Sequence, residues 1–146
     1  MLREATAALE MLLACPQTNI SDLPRNLGPG VYLFRERGLP VYLGRAKSLS
    51  ERPKQHTSNS ERKAALAFLI ARKETGHVEA SYQSGPESRA GLMKNPQFKA
   101  VFDKARLRIK RMQIQWVEVA DPSVQSVLEV YATKALDTKF NSFSTT

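Results

Sequence analysis

The sequence predicts an α+β fold in which helices pack on a small antiparallel three-stranded sheet. Two short runs, GVYLFR and LPVYLG, are rich in β-branched and aromatic residues and flank Glu36-Arg37-Gly38, a turn-like break. A third run, MQIQWVEVA, has the same character, and helical periods stand before, between and after the three. Strands and helices that do not alternate regularly favour an α+β layout over a parallel sheet.

The first helix is predicted over residues 2 to 14, where Leu2, Ala5, Leu9, Leu12 and Leu13 approach one stripe. A connector rich in Pro, Asn, Gly and Asp follows and ends any helical pattern before residue 30. In the hairpin, Gly38 stands where a three-residue loop needs a left-handed residue. With residues 36 to 38 as the loop, Arg35 faces Leu39 and Tyr32 faces Tyr42, so the tyrosines become cross-strand neighbours. Pro40 donates no ladder hydrogen bond, so either the second strand is an edge there or Pro40 occupies a non-bonded site.

Ser48 to His56 reads as a helix, with Ser48-x-x-Glu51 in capping-box spacing. A start at Ser48 puts Pro53 at the fifth helical position, so the later start with Ser50 as the cap, which leaves it in the first turn, is favoured. A further helix is expected from about residue 60, where Ser58-x-x-Glu61 has capping-box spacing and Ala65, Leu66, Leu69 and Ile70 form an apolar face. Residues 73 to 93 show no sustained period and read as an irregular loop inserted in the domain. Lys94, Lys99, Lys104, Arg106, Arg108, Lys110 and Arg111 oppose a single anion, Asp103, on a helix running into the third strand. Asp121-Pro122 starts the last helix, with Val124, Val127, Leu128, Tyr131, Ala132, Ala135 and Leu136 as its buried stripe. Glu129 falls at the margin of that stripe, an odd place for a charge that only solubilises. Trp116 is expected in the core and His77 at the surface.

The chain has 146 residues, 42% of them apolar, enough to bury a core without disulfide or metal staples. Its net charge of +8 makes a polyanion the first partner to consider. Cys15 is the only cysteine, so no internal disulfide forms, no Cys/His cluster has zinc spacing, and a reducing cytoplasm fits. The stretch LREATAALEMLLAC is too short and too charged for a signal peptide or a membrane span, so no membrane association is expected.

The conspicuous polar residues, in order, are Tyr32, Tyr42, Arg45, Arg52, His56, Glu129 and Asn141. GVY and YLG at this spacing, then G-R-A-K-S-L-x-x-R-x-x-x-H, then E-x11-N in EVYATKALDTKFN, together resemble the GIY-YIG nuclease superfamily over roughly residues 28 to 143. That resemblance sets residues 28 to 146 as the nuclease-like domain and residues 1 to 27 as an additional N-terminal helix and connector. It implies a metal-dependent endonuclease acting on DNA, with Tyr32 as general base or orienter of the attacking water, assisted by Tyr42 and His56. Arg52 would grip the scissile phosphate, Glu129 would hold one Mg²⁺ or Mn²⁺, and Asn141 would brace the site. Arg45 stands where relatives carry a lysine, keeping the charge but not the geometry.

The chemistry asks for the same residue types. Cleaving a phosphodiester needs a positioned water, a destination for its proton, and cations where negative charge accumulates. The 94 to 111 cations are candidate phosphate contacts on DNA. Targeting would come from the inserted loop, that basic segment, a homodimer or a partner protein. The competing reading is a catalytically impaired nucleic-acid-binding module of the same fold, since Arg45 and Pro53 depart from the family pattern.

Overall fold

A computed structural model describes residues 1–77, 86 and 88–141. The chain forms two compact units, Met1–Lys54 with Arg111–Thr146, and Gln55–Lys110.

The first unit holds the whole sheet. Its strands are β1 (Thr18–Asn19), β2 (Gly30–Glu36), β3 (Leu39–Ala46) and β4 (Gln113–Glu118), all antiparallel, in the order β1-β4-β2-β3. The expected three strands are therefore four among the described residues. The addition, β1, is only two residues long and pairs with Ile114 and Gln113, too short to leave a period in the sequence.

Two helices of this unit cover one face of the sheet. Helix α1 (Leu2–Ala14) matches its predicted span and buries Ala5, Ala8, Leu9 and Leu12. Helix α6 (Pro122–Leu136) begins at the predicted cap, where Asp121 Oδ1 accepts the Ser123 N–H at 2.9 Å. Both pack with Val31, Leu33, Leu43 and Val117 in a single apolar cluster. Gln115 fastens the end of α1 to the sheet by donating to the Leu13 and Cys15 carbonyls while accepting from Arg35. The stripes are narrower than the spacing suggested: Leu2, Leu13, Tyr131 and Ala135 are exposed. Trp116 is half-buried rather than in the core.

The hairpin turn has two residues, Arg37 and Gly38, both with positive φ (52° and 81°), the geometry that suits the twist of the strands it joins. Leu39 therefore pairs with Glu36, Pro40 with Arg35, and Tyr42 with Phe34. A bulge at Val41 absorbs the extra residue, so Tyr32 lies opposite Gly44 and not opposite Tyr42. β3 is an edge strand, the first of the two arrangements that Pro40 allowed.

Helix α2 (Arg52–Gln55) is one turn long, starts later than expected, and carries the chain from the first unit into the second. The Ser48 carbonyl accepts from Glu51 and Arg52 N–H, leaving Pro53 harmless in the first turn. Ser50 caps nothing. Its hydroxyl accepts from Leu27 N–H and donates to the Pro24 carbonyl, tying the connector down.

The second unit is helical: α3 (Ala65–Thr75), α4 (Arg89–Met93) and α5 (Pro96–Lys110). α3 starts at Ala65, five residues beyond the predicted start near residue 60. α4, capped by the Ser88 side chain, occupies part of the stretch read as an irregular loop. Residues 78–85 and 87 of that stretch lie outside the described residues. Phe68 of α3 packs on Phe98 and Phe102 of α5, with ring centroids 5.3 and 6.5 Å apart. His77 is half-buried, its ring 6.1 Å from that of Phe98, rather than exposed.

Candidate active site

The face of the sheet opposite α1 and α6 carries Tyr32 and Phe34 of β2 and Tyr42 and Gly44 of β3. Their register sets the rings side by side. Tyr32 lies with its ring centroid 5.3 Å from that of Phe34 and 6.4 Å from that of Tyr42. The tyrosines are thus diagonal neighbours across the hairpin rather than a directly opposed pair.

Both triplet glycines have a steric reason to be glycine. A Cβ on Gly44 would occupy the space of the Tyr32 hydroxyl and ring, so the phenol lies directly over the Gly44 backbone. A Cβ on Gly30 would strike the Val117 carbonyl and the Leu49 side chain. The motif is therefore a packing solution for one phenol as much as a chemical one.

Burial dominates the electrostatics of the two tyrosines. Tyr32 is 1% exposed, and burial pushes its pKa well above the ordinary phenol value of 10.0. Tyr42 pushes it up further, Arg52 pulls it down, and Glu129 pushes it up. Tyr42 is raised as well, by burial first, with Arg52 opposing and Glu129 reinforcing. Both are neutral phenols at physiological pH, able to donate one hydrogen bond and accept others. The Arg52 and Glu129 charges, far apart in sequence, are felt at the same two hydroxyls.

Glu129 is half-buried on α6, and burial raises its carboxyl pKa while Arg45 lowers it. Arg45 alternates with Gly44 along β3 and so projects to the α6 side, away from the phenols. There its Nε donates to Gln125 Oε1 at 3.2 Å, its Nη1 to Ser126 Oγ at 3.0 Å and its Nη2 to the Pro122 carbonyl at 3.4 Å. Gln125 and Ser126 stand four and three residues before Glu129, hence on its side of the helix. Sequence reasoning missed both, although that spacing was visible.

Asn141 does not point at a reacting group. Its Oδ1 accepts from Leu43 N–H at 2.7 Å and its Nδ2 donates to the Leu43 carbonyl at 2.8 Å, between Tyr42 and Gly44. It ties the segment after α6 to the β3 backbone between Tyr42 and Gly44.

His56 belongs to the second unit, just past the end of α2, and is fully buried. Its Nδ1 accepts the Leu66 N–H at 3.3 Å. A nitrogen that accepts carries no proton, so the neutral imidazole keeps its N–H on Nε2.

The basic run is not one face. Asp103 takes Lys99 at 2.9 Å and Arg106 at 2.8 Å, and the Lys99 hydrogen bond leads in holding its pKa below the ordinary value. Arg106 also donates to the Thr57 carbonyl, and Arg108 lies 3.7 Å from Glu74. Lys94, Lys104, Lys110 and Arg111 remain exposed, with Arg111 in the first unit. Among the described residues no three His, Cys, Asp or Glu side chains are grouped as metal ligands. Nor is any described helix long and apolar enough to cross a membrane.

No protein-family model and no curated protein matches the chain. Among solved structures, it is similar to the GIY-YIG N-terminal endonuclease domain of UvrC from Thermotoga maritima bound to magnesium, with 21% identity over 93% of this chain and 97% of that one, at a TM-score of 0.38. Two point mutants of that domain, each bound to its catalytic divalent cation, match at 21% and 20% identity, over 93% of this chain and 96% of theirs, at the same TM-score. So low a TM-score carries no residue roles across, and the functional reading rests on this chain's own residues.

Proposed function

We propose that the chain is a metal-dependent endonuclease hydrolysing phosphodiester bonds in DNA, with its chemistry centred on Tyr32, Tyr42, Arg52 and Glu129. The observation that carries this reading is that Arg52 and Glu129, far apart in sequence, act in opposite senses on the pKa of the same two shielded phenols, Tyr32 and Tyr42.

In this reading a neutral Tyr32, steadied by Tyr42, accepts a hydrogen bond from the attacking water and so aligns it on the phosphorus. As the new P–O bond forms, the water's proton leaves through solvent and the departing oxygen takes one up from solvent. Arg52 offers two parallel donors to the phosphate oxygens, where charge builds as the bond to the leaving oxygen breaks. Glu129 would hold a divalent cation, Mg²⁺ or Mn²⁺; when bound, that ion neutralises phosphoryl charge and acidifies water. A lone half-buried carboxylate fits a hard ion that takes the rest of its shell from water and phosphate. Asn141 keeps β3 in place beneath Tyr42. The four exposed cations of the basic run, Lys94, Lys104, Lys110 and Arg111, are the members of that run offered to DNA phosphates.

Incubating supercoiled plasmid with the protein and Mg²⁺, with and without chelator, tests the reading. Nicking or linearisation that disappears with chelator and in Glu129→Ala, Arg52→Ala and Tyr32→Phe is the expected result. Metal-independent cutting, or cutting that survives all three substitutions, overturns it.

One observation favours the competing reading of a binding module without catalysis. Arg45 is committed to α6 and leaves the phenols without that positive neighbour. DNA binding by the wild type with no cleavage under any divalent cation would select this alternative.

A further inference from the structure

The connector between β1 and β2 is held more firmly than a surface loop requires. Three hydrogen bonds join it to the turn before α2: Leu27 N–H to Ser50 Oγ at 2.8 Å, Ser50 Oγ to the Pro24 carbonyl at 2.9 Å, and Leu49 N–H to the Gly28 carbonyl at 3.0 Å. Asn26 takes a left-handed conformation, φ 68°, which lets the chain double back onto Ser50. Two further bonds, Gly28 N–H to Glu118 Oε2 and Val119 N–H to the Pro29 carbonyl, anchor the same segment to the end of β4.

What this stitching carries is charge. Arg25 lies between the two residues bound by Ser50, and it is exposed. Lys47 is exposed three residues before Ser50, and Arg52 follows two residues after it. Lys54 adds a fourth cation to this corner of the first unit. The anions nearby are Asp22, Glu51 and Glu118, and the last already accepts the Gly28 N–H. A segment held by five hydrogen bonds loses little freedom when it engages a ligand, so the ordering cost of binding is largely met in advance.

We propose that Arg25 and Lys47 form a phosphate-binding ledge beside Arg52 that grips the DNA backbone flanking the bond to be cut. The inference rests on the nuclease reading for its choice of DNA, but its evidence is separate, since none of the phenols or Glu129 takes part. Ser50 is the positioning residue of the ledge: its hydroxyl ties down the backbone on both sides of Arg25, at Pro24 and Leu27.

The test measures binding of the full chain to a fluorescently labelled duplex oligonucleotide in chelator, across a series of salt concentrations. Arg25→Ala and Lys47→Ala should each weaken binding and flatten the dependence of log K on log salt by about 0.9 per lost phosphate contact, and the double variant by about twice that. Ser50→Ala keeps every cation and should lower affinity, while Ser50→Thr, which keeps the hydroxyl, should restore it. A double variant with the wild-type slope overturns the ledge. If the wild type still cuts plasmid with Mg²⁺ in that case, the ledge alone fails; if the wild type neither binds nor cuts, the nuclease reading fails with it.

Discussion

The Tyr32 phenol lies on the bare backbone of Gly44, in space that any side chain at Gly44 would fill. Because the contact is with a ring locked between Phe34 and Tyr42, the ring cannot swing aside without disturbing both neighbours. Gly44→Ala is therefore expected to destabilise the first unit by about 1–3 kcal/mol, the usual range for overpacking, and to abolish cleavage by displacing the hydroxyl. Urea denaturation and the plasmid assay check the two effects, and a variant of unchanged midpoint would show that the ring has room to move.

Arg45 fastens β3 to the first turns of α6 through three acceptors of different kinds. Lysine cannot reproduce a fork that reaches an amide, a hydroxyl and a carbonyl together. Arg45→Ala should cost about 1–2 kcal/mol, given roughly 0.5–1.5 kcal/mol net per hydrogen bond and the exposure of the group. Arg45→Lys should recover little of it. Full recovery by lysine, measured as the denaturation midpoint, would mean that charge alone matters at this position.

Glu129 gives a pH signature of defined sign. Burial, partly offset by Arg45, raises its folded pKa above the ordinary 4.5. The stabilising contribution of such a group is complete below the unfolded pKa and is lost as pH rises through the folded one. At neutral pH the folded protein thus carries an ionised carboxylate at some cost, as function-bearing groups often do. Glu129→Gln should raise the thermal midpoint at neutral pH and leave it unchanged well below pH 4.5, even as it removes cleavage. A midpoint lowered at neutral pH would indicate that the ionised form is held by favourable contacts.

Thr138, just beyond the end of α6, buries its hydroxyl without a hydrogen-bond partner among the described residues. A buried polar group left unsatisfied costs about 1–3 kcal/mol, whereas an apolar group of the same shape costs nothing comparable. Thr138→Val is expected to stabilise the protein by about 1 kcal/mol, read from chemical denaturation, with cleavage unaffected. A loss of stability would mean that the hydroxyl contributes to the fold.

The helix ends at Ala14 and Asp121 were readable because local signals decide them: an apolar stripe that stops, and a cap followed by proline. The hairpin register was not. It depends on a bulge at Val41, and a bulge is chosen by how two strands meet Pro40 and a two-residue turn, which no period in one strand records. The pairing inside the charge run was hidden for a similar reason. Phe98, Phe102, Ala105 and Ile109 claim the inner side of α5, and Asp103 and Glu74 recruit cations that look free in the sequence. The motif residues were legible as a set, yet their placement separates those at the phenols from those supporting them. Alternation along β3 sends Arg45 to the far side of the sheet, and Asn141 spends both ends of its amide on Leu43.

The outer rim of β3 is where such a sheet would otherwise recruit a second chain. Phe140 N–H bonds the Val41 carbonyl, and the Asn141 amide takes up both main-chain groups of Leu43. The segment after α6 thereby acts as a stopper for the open ladder, and cutting the chain before Phe140 would leave that rim as a template for edge-to-edge aggregation.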